Sequence, residues 1–230
     1  MKKNKIFIAI DTNKISKAKK IIKYSNTKKL KIGYKFGLEF INSKNGRTFI
    51  SKIRNKLIFA DLKLHDIPNT VKKGIAAIEK LKPILTTVHI SGGDQMLKST
   101  IIKKNRNTKI LGVSILTSLD SNQTLKYYNN KNINSLVKKF IKAAKKFKLD
   151  GVVCSPKEID LVRKEVGNNF LIVTPGIRPE GYKSKNDDQK RTLSPKMAIK
   201  KGADLLVIGR PITESKNPLK NLREINKSLK

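Results

Sequence analysis

The chain has one cysteine, two histidines and no tryptophan in 230 residues, and it is short of acidic groups. Each shortage closes off a class of protein. A single cysteine, Cys154, cannot form an internal disulfide framework and supplies no thiolate cluster for a structural zinc. His65 and His89 are too few for an all-histidine metal site. No apolar run approaches the ~18 residues that a membrane-spanning helix needs. The opening MKKNKIFIAID is basic but has only five apolar residues before Asp11, too short for the apolar region of a secretion signal. A cytoplasmic protein with no membrane partner is the expectation.

Acidic residues number 17 against 52 lysines and arginines, a formal net charge of +35. A surplus of this size suggests a polyanion, because phosphate neutralisation dominates non-specific nucleic-acid affinity. Its distribution argues otherwise. Lysine accounts for 44 of the 52 and is scattered along the whole chain, often in pairs on helix-like faces. There is no arginine-rich block, no basic tail and no interleaving of aromatic with basic residues on which bases could stack. Solvated helix faces and compositional drift account for the pattern, and no specific nucleic-acid partner is expected. A basic nucleic-acid-binding protein built on a barrel is the competing reading from a different functional class. The surplus can still steer an anionic substrate, an effect that fades with salt.

What the sequence does have is a repeated unit, a short apolar run followed by a helical stretch. The runs are Ile6–Ile10, Leu30–Gly33, Leu57–Ala60, Ile84–His89, Lys109–Ile115, Gly151–Cys154, Phe170–Thr174 and Asp204–Ile208. The spacing predicts helices over Lys14–Tyr24, Pro68–Leu81, Gly93 to about Lys104, Ile133–Phe147, from Pro156 onward, and a last one through about Leu222. Strands that alternate with helices argue for a parallel sheet, since parallel neighbours need long crossovers. The runs are continuously apolar rather than alternating, as befits strands covered on both faces. Eight units in this length fit an α/β fold of the (β/α)8 TIM-barrel type, as a single domain over residues 1–230. An open doubly wound sheet is disfavoured because no G-x-G-x-x-G follows the first strand.

In such a barrel the chemistry sits at the carboxyl ends of the strands. Read in order, those ends offer Asp11, Lys31, Asp61 with Lys63, His89, Thr117, Cys154 with Ser155, Pro175 to Arg178, and Gly209 with Arg210. Acids at the rim of a lysine-rich chain are informative. The densest stretch is Asp61-Leu62-Lys63-Leu64-His65-Asp66-Ile67-Pro68-Asn69-Thr70. In an extended segment Asp61 and Lys63, two apart, point to the same side. Acids flanking a lysine hold it charged and in place. A carboxylate in that row also repels an anionic group on a substrate, favouring its loss as a neutral gas. The two histidines and Cys154 are read as structural groups.

This stretch resembles the signature of the orotidine 5'-phosphate decarboxylase family. Further blocks resemble it in order: A-I-D11, K31-I-G, T87-V-H89-I-S-G-G93, L116-T117-S, G151-V-V-C-S155, T174-P-G-I-R178-P and L206-V-I-G209-R210-P-I-T213. The resemblance implies a cofactor-independent, metal-free decarboxylation of orotidine 5'-phosphate to UMP, the last step of pyrimidine synthesis, by a homodimer. It implies Lys63 as proton donor to C6, Asp61 facing the departing carboxylate, and Lys31 pairing with Asp61 and touching the ribose. Lys35 is the second choice for that lysine. Asp66 and Thr70 are implied to reach across the dimer interface, Asp11 to hold a ribose hydroxyl and Thr117 to contact the pyrimidine. Arg178, Gln189, Gly209 and Arg210 are implied to form the phosphate side, with the loop Glu180–Arg191 as a lid closing through Gln189. Arginine's planar fork suits phosphate oxygens, and gripping a remote phosphate can offset desolvation and repulsion at the reacting carboxylate. Sugar-phosphate barrels sharing D-x-K-x-x-D, such as a 3-keto-gulonate-phosphate decarboxylase or a hexulose-phosphate synthase, are the nearest enzyme alternative, and they use magnesium.

Overall fold

Short runs dominated by isoleucine, valine, leucine and phenylalanine form the strands, whose branched and aromatic side chains suit a pleated surface. A computed structural model, which describes residues 5–25, 31–101, 107–182 and 192–229, closes these strands into a barrel. They are β1 (Lys5–Ile10), β2 (Lys31–Phe36), β3 (Leu57–Leu64), β4 (Leu85–His89), β5 (Lys109–Val113), β6 (Gly151–Val153), β7 (Leu171–Thr174) and β8 (Leu205–Ile208). All pairs are parallel, in chain order, and β8 pairs back onto β1 with Lys5 opposite Leu205.

The helices are α1 (Ile15–Tyr24), α2 (Leu38–Ile41), α3 (Gly46–Lys52), α4 (Pro68–Glu79), α5 (Gly93–Ser99) and α6 (Ser121–Tyr128). They continue with α7 (Ile133–Lys146), α8 (Ile159–Val166), α9 (Pro195–Lys200), α10 (Arg210–Thr213) and α11 (Pro218–Ser228). Pro68, Pro195 and Pro218 open their helices, where the missing N–H costs nothing. The longest helix, α7, shows why lysine pairs are tolerated. Its inner stripe is Leu136, Val137, Phe140, Ile141 and Ala144, which leaves Lys138, Lys139, Lys142 and Lys145 to the outer side. Asn132 starts it by accepting the Ser135 N–H at 3.0 Å.

Two cores result from the alternation of side chains along each strand. Outward residues such as Ile6, Ile8, Val88, Ile110 and Ile172 pack under the helices. Inward residues fill the barrel: Phe7, Ala9, Phe59, Leu85, Leu111, Val173, Leu205 and Val207. Phe7 and Phe59 meet edge to face, 5.6 Å between centroids, and occupy the middle of the barrel. Gly33 makes room for them: a Cβ there would sit 2.4 Å from the Phe7 ring. The amino end is tied by acids with purely structural partners. Asp150 accepts the Ile110 N–H and Asp204 accepts the Ile172 N–H, each at 2.8 Å, while Arg163 pairs with Asp204 at 2.7 Å.

Several elements differ from expectation, including the end of the chain, where α10 and α11 stand in place of a single helix, and three of the differences have a clear physical reason. β2 begins at Lys31 and runs on to Phe36, whereas the apolar run had suggested an end at Gly33. It extends because Tyr34 is fully buried on the helix side, its hydroxyl meeting Ser25 at 3.0 Å and the Ile22 carbonyl at 3.3 Å. β3 likewise continues past Asp61 to Leu64. The polar stretch before α7 contains α6, a helix made by a capping box in which the Asp120 carboxylate accepts the Gln123 N–H and the Gln123 side chain accepts the Asp120 N–H.

Candidate active site

The inward residues above the Phe7 and Phe59 layer change from apolar to charged. β1 leads to Asp11, β2 supplies Lys35, β3 supplies Asp61 and Lys63, and β4 supplies Thr87 and His89. Four of these groups form a row of alternating charge. Lys35 Nζ lies 3.5 Å from Asp11 and 3.4 Å from Asp61, and Lys63 Nζ lies 2.8 Å from the same Asp61 Oδ2. Asp61 is the centre of the row, its side chain 10% exposed, against 13% for Lys35, 36% for Lys63 and 67% for Asp11.

Electrostatics decides the charge state of this row. Burial disfavours the Asp61 carboxylate, but the ammonium groups of Lys35 and Lys63, with hydrogen bonds from Lys63 and Thr87, outweigh it and hold the carboxyl below its usual range. Burial also pulls the Lys35 ammonium down, and Asp61 and Asp11 overcome that and hold it above its usual range. Asp61 and Lys35, the two members that solvent barely reaches, therefore both favour their ionised forms. His89 sits beside the row, 5.2 Å ring to ring from His65. Burial, then His65 and Lys63, push it down to about 4, so it is neutral at physiological pH.

The Asp61 and Lys63 side chains meet by a route the simple extended-strand argument did not foresee. The β3–β4 register slips between Ala60 and Leu64, and Lys63 takes a left-handed backbone, φ 49°. A lysine in that region carries strain of ~1–3 kcal/mol and persists only when its surroundings hold it there. Lys63's ammonium therefore approaches Asp61 from a bulge.

The lysine paired with Asp61 is Lys35, and this corrects the expectation for Lys31. Lys31 opens β2 opposite Lys5, at the amino end of the barrel. Lys35 lies four positions further along the strand, a span of ~13 Å. A β2 that ended at Gly33 would bring Lys31 close to the rim; because the strand runs on to Phe36, Lys35 takes that place.

The other expected groups fall as follows. Asp66 and Thr70 are exposed on the β3–α4 loop and the first turn of α4, where Asp66 accepts the Ile67 N–H at 2.7 Å. Ile67 between them is 68% exposed. Thr117 is half-buried in the turn after β5. Arg178 is half-buried after β7, and its N–H bonds to the Leu193 carbonyl at 3.0 Å, pairing the chain leaving β7 with the chain entering α9. Its guanidinium lies over the Tyr182 ring at 5.7 Å. Gly209 joins β8 to α10, which Arg210 opens, and a Cβ on Gly209 would lie 3.7 Å from Asp11, which puts this junction next to the charged row. Gln189 and most of the expected lid lie outside the described residues. Cys154 is buried and burial pushes its thiol up, which leaves it unreactive. Two rim groups were missed or underrated: Lys35 and Thr87. Their signal was parity, since each stands an even number of residues from an inward neighbour on its strand.

Residues 4–225 match the family described as orotidine 5'-phosphate decarboxylase / HUMPS. The chain is 44% identical to the orotidine 5'-phosphate decarboxylase of Wolbachia pipientis subsp. Culex pipiens, over 98% of this chain and 99% of that one. It is 38% identical to the protein of the same name in Coxiella burnetii, over 98% and 97% of the two chains. A crystal structure of orotidine 5'-phosphate decarboxylase from Lactobacillus acidophilus superposes with a TM-score of 0.81 at 33% identity, covering 98% of this chain and 99% of that one.

Proposed function

The chain belongs to the orotidine 5'-phosphate decarboxylase / HUMPS family, and from that premise we propose that it converts orotidine 5'-phosphate to UMP and carbon dioxide without a cofactor. The observation that carries the reading is the ion-paired row Asp11–Lys35–Asp61–Lys63 at the carboxyl rim. In the reaction the bond from C6 to the carboxylate breaks, its electron pair stays on C6, and carbon dioxide leaves. Lys63 donates a proton from Nζ to C6 and is reprotonated from solvent. Asp61 faces the substrate carboxylate, and their repulsion falls as carbon dioxide departs. Such a carboxylate must be charged, the form that Lys35, Lys63 and Thr87 favour against burial. No delocalising group is needed for the carbanion when the ammonium of Lys63 is already in place.

Lys35 and Asp11 hold ribose hydroxyls in this reading, and Thr117 contacts the pyrimidine. Arg178, Gly209 and Arg210 receive the phosphate, from the loops after the seventh and eighth strands that barrels commonly use for it. Binding energy from that remote group offsets the cost of bringing two carboxylates together. Asp66 and Thr70 lie exposed beside Ile67, as groups serving a second copy's site would, and the active unit is a homodimer. A single domain spanning 1–230 suffices, working in the cytoplasm with no nucleic-acid or membrane partner. Among the described residues no helix is long and apolar enough to cross a membrane.

The test is loss of orotidine 5'-phosphate absorbance with wild type and with Lys63→Ala, each with and without EDTA. Wild-type turnover that survives EDTA, together with turnover abolished in a folded Lys63→Ala protein, is the expected result. Undiminished kcat in that variant would sink the assignment, and loss of activity with EDTA would favour the magnesium-using sugar-phosphate relatives.

A further inference from the structure

The register slip in β3 leaves a problem that a side chain solves. Between the paired positions Ala60↔Thr86 and Leu64↔Val88, β3 advances four residues while β4 advances two. The extra residues include Asp61 and Lys63, and the backbone ladder cannot serve them all. Two consecutive threonines on β4 take over. Thr86, facing outward, donates its hydroxyl to the Ala60 carbonyl at 2.9 Å. Thr87, facing inward, accepts the Lys63 N–H at 2.8 Å and donates to Asp61 Oδ1 at 2.9 Å. Both threonines are fully buried.

The donor and acceptor assignments have no freedom. Lys63 N–H can only donate, so the Thr87 oxygen accepts there, and its one hydrogen is left for Asp61. Asp61 Oδ2 is meanwhile engaged by Lys63 at 2.8 Å and Lys35 at 3.4 Å. One hydroxyl thus binds the proposed proton donor through its backbone and the proposed repelling carboxylate through its side chain. It also supplies the restraint that a left-handed lysine requires.

We propose that Thr87 is a positioning residue of the decarboxylation, its hydroxyl locking the Asp61 carboxylate and the Lys63 backbone into one rigid unit. It acts through those two residues and does not itself touch substrate. The inference rests on the decarboxylase reading, and wild-type turnover tests that reading first. The Thr87 variants are compared with an active wild type, so the two can fail separately.

Thr87→Val keeps the shape and removes the hydroxyl, while Thr87→Ser keeps the hydroxyl. Loss of a buried hydrogen bond to a charged group corresponds to a fall in kcat of about 10- to 100-fold in Thr87→Val, with KM within about threefold. Thr87→Ser returns to within about threefold of wild type. A second readout is the acid limb of kcat/KM. Asp61 is faced by Lys35 from β2, Lys63 from its own strand, Asp11 after β1 and His89 from β4, with His65 behind His89. Removing a donor from this carboxylate moves the limb to higher pH, which a change of stability alone would not do. A Thr87→Val enzyme with kcat within twofold of wild type, or an unmoved acid limb, overturns the proposal. So does a serine variant as impaired as the valine one. Should the valine variant not fold, Thr87→Ala against Thr87→Ser differs only in the hydroxyl and is read by the same criteria.

Discussion

Replacing Lys35 by methionine separates the two candidate lysines of β2 and tests the charge row directly. The substitution keeps the length of the stem and removes one cation 3.4 Å from Asp61 and 3.5 Å from Asp11. A unit ion pair at this range is worth roughly 5 kcal/mol in an effective dielectric of about 20. The Asp11 half contributes little, since that side chain is 67% exposed and its charge is screened by water. The Asp61 half is different, because both partners are nearly excluded from solvent. Removing one partner of such a pair costs ~3–5 kcal/mol, and the lower end applies because Lys63 and Thr87 still hold the carboxylate. That cost falls on folding and is read as a lower urea midpoint; where a loss of the same size, about 3 kcal/mol, is also felt in the transition state through a displaced Asp61, kcat/KM falls about 10²-fold, read from the loss of substrate absorbance. The pH profile supplies the sign. In wild type the Asp61 carboxyl is depressed, so its contribution is present above the unfolded carboxylate value and lost as pH falls through the lower folded value. Without Lys35 the folded value rises, and the acid limb of kcat/KM moves to higher pH. Lys31→Met, at the opposite end of the same strand, stays within about twofold of wild type. A Lys35→Met enzyme within threefold of wild type, or a Lys31→Met enzyme equally damaged, would refute the reasoning.

The remaining predictions concern a rim histidine and the barrel interior. His89 is held neutral down to about pH 4, whereas an unfolded histidine takes a proton near 6.5. Between those values the unfolded chain binds the extra proton, so the native protein loses stability as pH falls, and His89→Gln flattens that slope in urea melts at pH 5 and 7. An unchanged slope would show that His89 is protonated in the native state. Phe7→Ala empties the centre of the barrel beneath the charged row and should cost ~3–5 kcal/mol, seen as a lower guanidinium midpoint. A midpoint unchanged from wild type would mean that the interior collapses to fill the space.

The barrel was legible because eight apolar runs separated by helical stretches admit few arrangements once parallel pairing is required. The motif from Asp61 to Thr70 was legible because its charges interrupt that pattern at a strand end. Strand length was harder to see. Tyr34 and Lys35 looked like the start of a mixed segment, since a polar hydroxyl and an ammonium in sequence give no sign of which is buried against a helix and which faces a carboxylate. α6 was hidden for a similar reason: with Thr124 as its buried residue it has almost no apolar stripe, and only the Asp120 and Gln123 cap marks it.

The amino-acid sequence alone determined the (β/α)8 class, the surface role of most lysines, and the residue types at the rim. These depend on periodicity and on local chemistry, which a linear order records. The tertiary structure decided which lysine meets Asp61, that Lys63 reaches it from a bulge, and that a threonine on the neighbouring strand binds both. Those outcomes depend on how strands register against one another. A shift of one residue exchanges the inside and outside of a strand, and the shift is set by packing across the whole barrel.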